Sequence, residues 1–428
     1  MLLKNGLFVD PGTGTEGIRD VAIDDGVIIK IAESIDSSEY DNPMVYDCTN
    51  LIIGPGLVDI HVHFRDPGFT HKEDIYTGAK AAIRGGVTSV VLMANTKPVV
   101  DNVETLEYVL NKGAETGINV HSCAAVTTAL KGEELVDFDT LLKHGAAGFT
   151  DDGIPILNEN IARAAMVEAA KYDTVLSFHE ENPEYIENNG VNKGKASAYF
   201  GIGGSDREAE ISMVKRDVQL AMETGAKINI QHISTAEAVE IIREAKVKHN
   251  AKNIFAEATP HHISLTEDDT ITHGTFAKMN PPLRTEADRR AIIDGLCDGT
   301  IDFIATDHAP HTNEEKGKHI TEAPSGIIGL ETSLKVSYNT LVSQEKMSIL
   351  QLFCKMSYNP AKLYGICAGE LAIGRHADIV VFDPNSTAYV NQFVSKSQNS
   401  PFENNKITGD VVMTICNGKI LYNTLSEQ

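Results

Sequence analysis

The side chains best suited to chemistry in this sequence stand at the ends of short apolar runs. His61 and His63 are separated only by Val62 and follow the run GPGLVDI. In an extended strand, residues two apart share a face, so both imidazoles point one way and Val62 the other. Two nitrogen donors on one face suit a borderline-soft cation such as zinc. On an exposed edge strand an HxH pair is an ordinary surface feature, but the apolar run before this one describes a buried strand. His179 and His232 each end a further run, Asp307 in ATDHAP another, and the pair Asp151-Asp152 in GFTDDG a fourth. Singly, such a histidine is as often a packed core residue as a ligand, and an aspartate can simply cap a helix. Arriving together at one end of a set of strands, they form a donor set for metal-assisted hydrolysis. His261 and His262 follow strand seven, where Pro260 bends the chain, and read as structural residues behind the ligands.

These residues need a scaffold that gathers strand ends. From Gly54 to about Tyr364, eight strand candidates alternate with amphipathic stretches: GLVDIHVH, TSVVLMAN, NVHSCAA, AAGFTDD, TVLSFHE, KINIQHI, NIFAEAT and DFIATDH. That alternation predicts a parallel sheet with crossover helices, and eight such units close into a TIM (β/α)8 barrel with its active site at the C-terminal strand ends. The expected barrel covers residues 54–365. Residues 1–53 and 366–428 are β-rich, punctuated by Pro11-Gly12, Asp25-Gly26 and Asn417-Gly418, and are expected to build one small β-sandwich domain from both termini. Asn391–Lys406 reads as an irregular polar loop, and Thr312–Lys318 as a mobile lid.

Sixty acidic against 37 basic side chains give a net charge of −23. Such a surface repels polyanions, which excludes nucleic acid and anionic membranes as partners, and an anionic substrate would need local cations in its pocket. Six scattered cysteines with no CxxC pair indicate a reducing compartment. With no signal-like N-terminal run and no membrane-length apolar run, the expected location is cytoplasmic.

The string PGLVDIHVHFRDPG, with the strand-end histidines and Asp307, resembles the amidohydrolase superfamily. HFRDPGFTHKEDI, MANTKPVVDN, GFTDDG, ATPHH, NPPLR, ATDHAPH and APSGIIGLE are similar to the bacterial class I dihydroorotases, and the likeness spans nearly the whole chain. The resemblance implies two zinc ions per chain, bridged by a hydroxide and by Asp152, with Asp151 the second choice. His61, His63 and Asp307 would bind one ion and His179 and His232 the other. Many relatives bridge their metals with a carboxylated lysine; no lysine stands in GFTDDG.

By the same resemblance, Asp307 is the general base and then the general acid. Arg65 and Asn95 would hold a substrate carboxylate, and Asn280 and His311 the ring amide and carboxylate; an ion pair with Asp66 is the structural alternative for Arg65. The implied reaction is the reversible cyclisation of N-carbamoyl-L-aspartate to L-dihydroorotate in pyrimidine biosynthesis. A homodimer is expected, with a complex with aspartate transcarbamoylase open. The alternatives are an allantoinase- or hydantoinase-type enzyme, and a non-catalytic subunit that supports aspartate transcarbamoylase.

Overall fold

The computed structural model describes residues 1–345 and 347–427. The N-terminal strands are β1 (Leu2–Asp10), β2 (Thr15–Asp24), β3 (Val27–Ala32), β4 (Val45–Asp47) and β5 (Ile52–Pro55). Asp25 and Gly26, the two residues between β2 and β3, take φ of 44° and 81°, the conformation that a tight hairpin requires.

Eight parallel strands follow: β6 (Leu57–Val62), β7 (Val87–Leu92), β8 (Asn119–Ser122), β9 (Phe149–Thr150), β10 (Val175–Phe178), β11 (Lys227–Ile230), β12 (Ile254–Ala258) and β13 (Phe303–Ile304). They are the eight sequence candidates in order. Regular pairing joins β6 to β8 in one set and β9 to β13 in another. Single parallel bridges close both seams, Ala124 with Phe149 and Val62 with His308. The second seam includes a bond from His63 N to His308 O of 2.9 Å, so barrel closure itself brings His63 alongside Asp307. The result is a TIM barrel.

The crossover helices form for local reasons. In Glu159–Lys171, Asn158 caps the N-terminus, and Ala162, Ala165, Met166 and Ala169 fall on one buried stripe. Among the described residues, no helix is long and apolar enough to cross a membrane.

The chain then returns to the first sheet as β14 (Ile379–Tyr389), β15 (Lys406–Cys416) and β16 (Lys419–Asn423). The strand order is β16-β15-β14-β5-β1-β2-β3, with β4 on β1. Val27 at the head of β3 bridges His376, which precedes β14. A Cβ on Gly418 would lie 2.4 Å from the Cα of Gly26, so hairpins from opposite ends of the strand order touch. The sheet therefore curls over one core, in which Leu3, Phe8 and Val21 pack with Ile379, Val381 and Met413. That curled sheet is the small sandwich.

Candidate metal centre at the barrel mouth

His61 and His63 share the inner face of β6 and its extension. His61 Nε2 lies 3.3 Å from Asp152 Oδ1 and 3.4 Å from Asp307 Oδ1. His63 Nε2 lies 3.4 Å from Asp152 Oδ2 and 2.9 Å from Asp307 Oδ1. Across the mouth, His179 Nδ1 stands 2.9 Å from His232 Nε2 and 3.8 Å from Asp152 Oδ1. All six side chains are buried. Asp152 lies between the two halves, one oxygen toward His61 and His179 and the other toward His63.

Donor atoms of His61, His63 and Asp307 converge closely enough to hold a metal ion, as do those of His61, Asp152 and His232. The first group is the set that the resemblance implies for one ion. The second takes in His61 with His232, while His179 reaches it through its contact with His232.

Three observations fit these residues to a divalent cation. Nε2 of His61 is buried among carboxylates without a hydrogen-bond partner among the described residues. Its other nitrogen, Nδ1, is 2.5 Å from Glu257 Oε1, which turns Nε2 toward the centre, where a metal would take its lone pair. His179 has the same arrangement, with Nε2 at 3.1 Å from Glu181 Oε2 and Nδ1 toward the centre. Imidazole and carboxylate donors of this kind suit zinc and its neighbours.

The electrostatics follow from burial and proximity. Burial alone would raise the Asp152 carboxyl, but His61, His63 and His179 around it more than offset this and hold it well below its ordinary range. Burial, with His179 and His61 adjacent, holds His232 well below the ordinary imidazole range. Asp151 faces away: its Oδ1 accepts from Val126 N at 2.7 Å and Thr127 N at 3.1 Å, and its Oδ2 from the Thr127 hydroxyl. That engagement leaves Asp152 as the carboxylate directed at the histidines.

A cleft of about 190 Å³ opens over this centre, lined by residues that include Arg65, Asn95, Asn280, His311 and Ser325. Arg65 is half-buried and makes no ion pair among the described residues; its Nε donates to Pro310 O at 3.2 Å, and Nη2 lies 3.2 Å from His311 Nε2. Asp66 is taken instead by Lys112 Nζ at 2.6 Å and Tyr108 OH at 3.0 Å. Asn95 leans on the centre itself, donating to Asp152 Oδ2 at 3.1 Å and lying 3.0 Å from His63 Nδ1. Asn280 Oδ1 and Ser325 Oγ are buried without partners among the described residues. His262 is held by Thr259 Oγ1 at 2.8 Å and Pro281 O at 3.0 Å, a structural arrangement.

Thr312–Lys318 is pinned rather than open. Thr312 caps the helix Asn313–Lys316, and the buried Lys316 donates to Pro324 O and Gly326 O, both at 3.0 Å.

Sequence reasoning passed over Glu181, Glu257, Glu73 and Asn399. Glu257 carried a signal, since a carboxylate inside the apolar strand NIFAEAT must be partnered. Backbone strain carried none: Arg65, His232 and Asp307 have φ of 59°, 31° and 46°. Non-glycine residues in that region cost on the order of 1–3 kcal/mol each and gather where function imposes them.

Barrel, cleft and buried donor set together define a hydrolase of the metal-assisted type. Residues 52–421 match the model of the Amidohydrolase family, and the chain belongs to that family. It is 50% identical to the dihydroorotase of Clostridioides difficile (strain 630) over 99% of this chain and 100% of that protein. Identity to the dihydroorotase of Streptococcus pneumoniae serotype 4 is 48%, over 99% of each chain. Among solved structures, L-hydantoinase (dihydropyrimidinase) from Arthrobacter aurescens superposes with a TM-score of 0.89 at 24% identity, covering 100% of this chain and 97% of that one. D-hydantoinase from Thermus sp. gives 0.85 at 21%, covering 100% and 96%. At that identity the two hydantoinases speak for the fold alone.

Proposed function

We propose that the protein is a zinc-dependent dihydroorotase, a cyclic amide hydrolase that interconverts L-dihydroorotate and N-carbamoyl-L-aspartate in pyrimidine biosynthesis. The observation that carries the choice of substrate is Arg65, a half-buried guanidinium without a carboxylate partner among the described residues, facing the same cleft as the donor cluster. An anionic ring supplies its missing partner, whereas an uncharged hydantoin-type ring leaves the charge unpaired. Full-length identity of 50% to a dihydroorotase supports the same choice.

In this reading His61, His63 and Asp307 would hold one zinc ion and His179 and His232 a second, with Asp152 serving both. Bound zinc supplies polarisation of the ring carbonyl and a water nucleophile that is active near neutral pH. The chain's own residues do the rest. Arg65 and His311 orient the substrate carboxylate, with Asn95 beside it, and Asn280 offers its free Oδ1 to the ring N–H. Asp307 takes up the proton released by the attacking water and delivers it to the departing ring nitrogen; the reverse sequence closes the ring. The same reading divides the chain into a barrel of residues 54–365 and a β-domain of residues 1–53 and 366–428, working as a homodimer in the cytoplasm. Six free cysteines agree with a reducing compartment.

A metal-controlled substrate panel tests the proposal. Dihydroorotate, allantoin, hydantoin and dihydrouracil are offered to purified protein with and without chelator, and ring opening is followed. Turnover of dihydroorotate, lost on chelation and restored by zinc, is expected. Preference for an uncharged ring would overturn the reading of Arg65, and turnover that survives full metal removal would overturn the role of zinc.

A further inference from the structure

The polar stretch between β14 and β15 leaves the terminal sheet and runs along the barrel mouth. Three alternate residues on it face inward and are buried: Ser395, Ser397 and Asn399. Ser395 and Ser397 grip neighbouring residues of one mouth segment, and Asn399 grips two others. Ser395 Oγ donates to Glu73, and Lys396 N donates to the same carboxylate at 3.2 Å. Ser397 Oγ donates to Lys72 O at 2.6 Å, and Lys72 Nζ stands 3.3 Å from His311 Nδ1.

Asn399 makes the most specific contact. Its Nδ2 donates one hydrogen to Ala309 O and the other to Gly326 O, both at 3.0 Å. Its Oδ1 accepts from His311 N at 3.0 Å, and its backbone carbonyl accepts from Ile328 N at 3.0 Å. One fully buried amide thus ties together two loops that line the cleft. Those loops touch with no room to spare, since a Cβ on Gly326 would lie 2.6 Å from Ala309 O and 2.7 Å from His311 Cδ2. Two donors and an acceptor on one short side chain are what this junction needs; aspartate lacks the donors and alanine has neither.

We infer that Asn399, carried by the strap from the terminal sheet, is a positioning residue that sets His311 and the loop walls at Ala309 and Gly326 for the carboxylate end of the substrate. The inference rests on the dihydroorotase reading for the identity of that substrate. Asn399 does not touch the donor cluster, so its loss leaves metal binding alone. It moves the group that orients the substrate, and misplacement by about 1 Å is enough to lower productive binding by up to roughly a hundredfold.

The test uses the full-length, zinc-loaded protein and the variants Asn399→Ala, Asn399→Asp and the milder Ser397→Ala. For dihydroorotate, both Asn399 variants are expected to raise KM at least about tenfold while kcat stays within about threefold, with zinc content equal to the parent. Amide exchange followed by mass spectrometry is expected to quicken at residues 309–311 and 326–328. An unchanged KM in a folded Asn399 variant overturns the inference even if exchange quickens, because the strap is then purely structural. Lost zinc with a parallel fall in kcat overturns it as well. If the Asn399 variants do not fold, Ser397→Ala decides: a KM raised about threefold supports the positioning role, and an unchanged KM overturns it. A parent protein that does not turn over dihydroorotate sinks the substrate reading, not the clamp. Quickened exchange at the His311 amide in Asn399→Ala then upholds the clamp, and unchanged exchange overturns it.

Discussion

Glu257 Oε1 lies 2.5 Å from Nδ1 of His61, on the opposite side of the ring from Asp152 and Asp307. The other Glu257 oxygen is fixed by Asn229 Nδ2 at 2.9 Å, so the carboxylate cannot swing away. With a metal at the centre it would take the His61 proton on Nδ1, so that Nε2 serves as a lone-pair donor. Replacing Glu257 with Gln keeps the shape but removes the charge and offers an N–H where an acceptor is needed. The expected result is a fall in zinc affinity of about 10–100-fold, read by competition with a chromophoric chelator. Unchanged affinity would mean that His61 keeps its tautomer without Glu257.

Asp307 is both a ligand candidate and the proton carrier of the proposed reaction. Its Oδ1 sits 2.9 Å from His63 Nε2, and its backbone at φ 46° turns the carboxylate into the mouth. Asp307→Asn preserves that shape and removes the basic oxygen. With zinc saturating, kcat for dihydroorotate is expected to fall by about 10²–10⁴-fold, the range that a general acid–base group contributes. A variant retaining more than about a tenth of parental kcat would remove Asp307 from that role.

How far the sequence reached is clear at His63. Its alternation with His61, its apolar lead-in and its place at the end of a strand were all local features, and the barrel follows from eight repeats of the same local pattern. Each strand reads for itself because a buried parallel strand is a short apolar run wherever it occurs. The carboxylates behind the histidines are a different case. Glu257 meets His61 only because barrel closure brings β12 next but one to β6, with β13 between them, a relation between partners 196 positions apart in the sequence. Asn399 is further from legibility still. Nothing in a polar stretch after β14 says that it will return to the mouth and clasp a loop some 90 residues upstream. Such contacts are set by closure of the whole fold, and no propensity or spacing rule encodes them.

Lys316 provides a test of the mouth that does not depend on catalysis. Its Nζ is buried against Pro324 O and Gly326 O, with Lys278 the neighbouring cation and Glu315 the neighbouring carboxylate. Burial, assisted by Lys278, lowers it to about 7, against about 10.4 for an unfolded lysine. Between these values the unfolded chain binds more protons than the folded one, so this group makes stability rise with pH. The contribution is complete above about 10.4 and is lost as pH falls through 7. Lys316→Met removes that slope, whatever it does to stability at a single pH. Urea unfolding at pH 7, 8 and 9 is expected to show the parent gaining on the variant by up to about 1.4 kcal/mol per pH unit. Parallel curves would mean that Lys316 is charged in the folded mouth throughout that range, its two carbonyl partners sufficing to hold the ammonium without water.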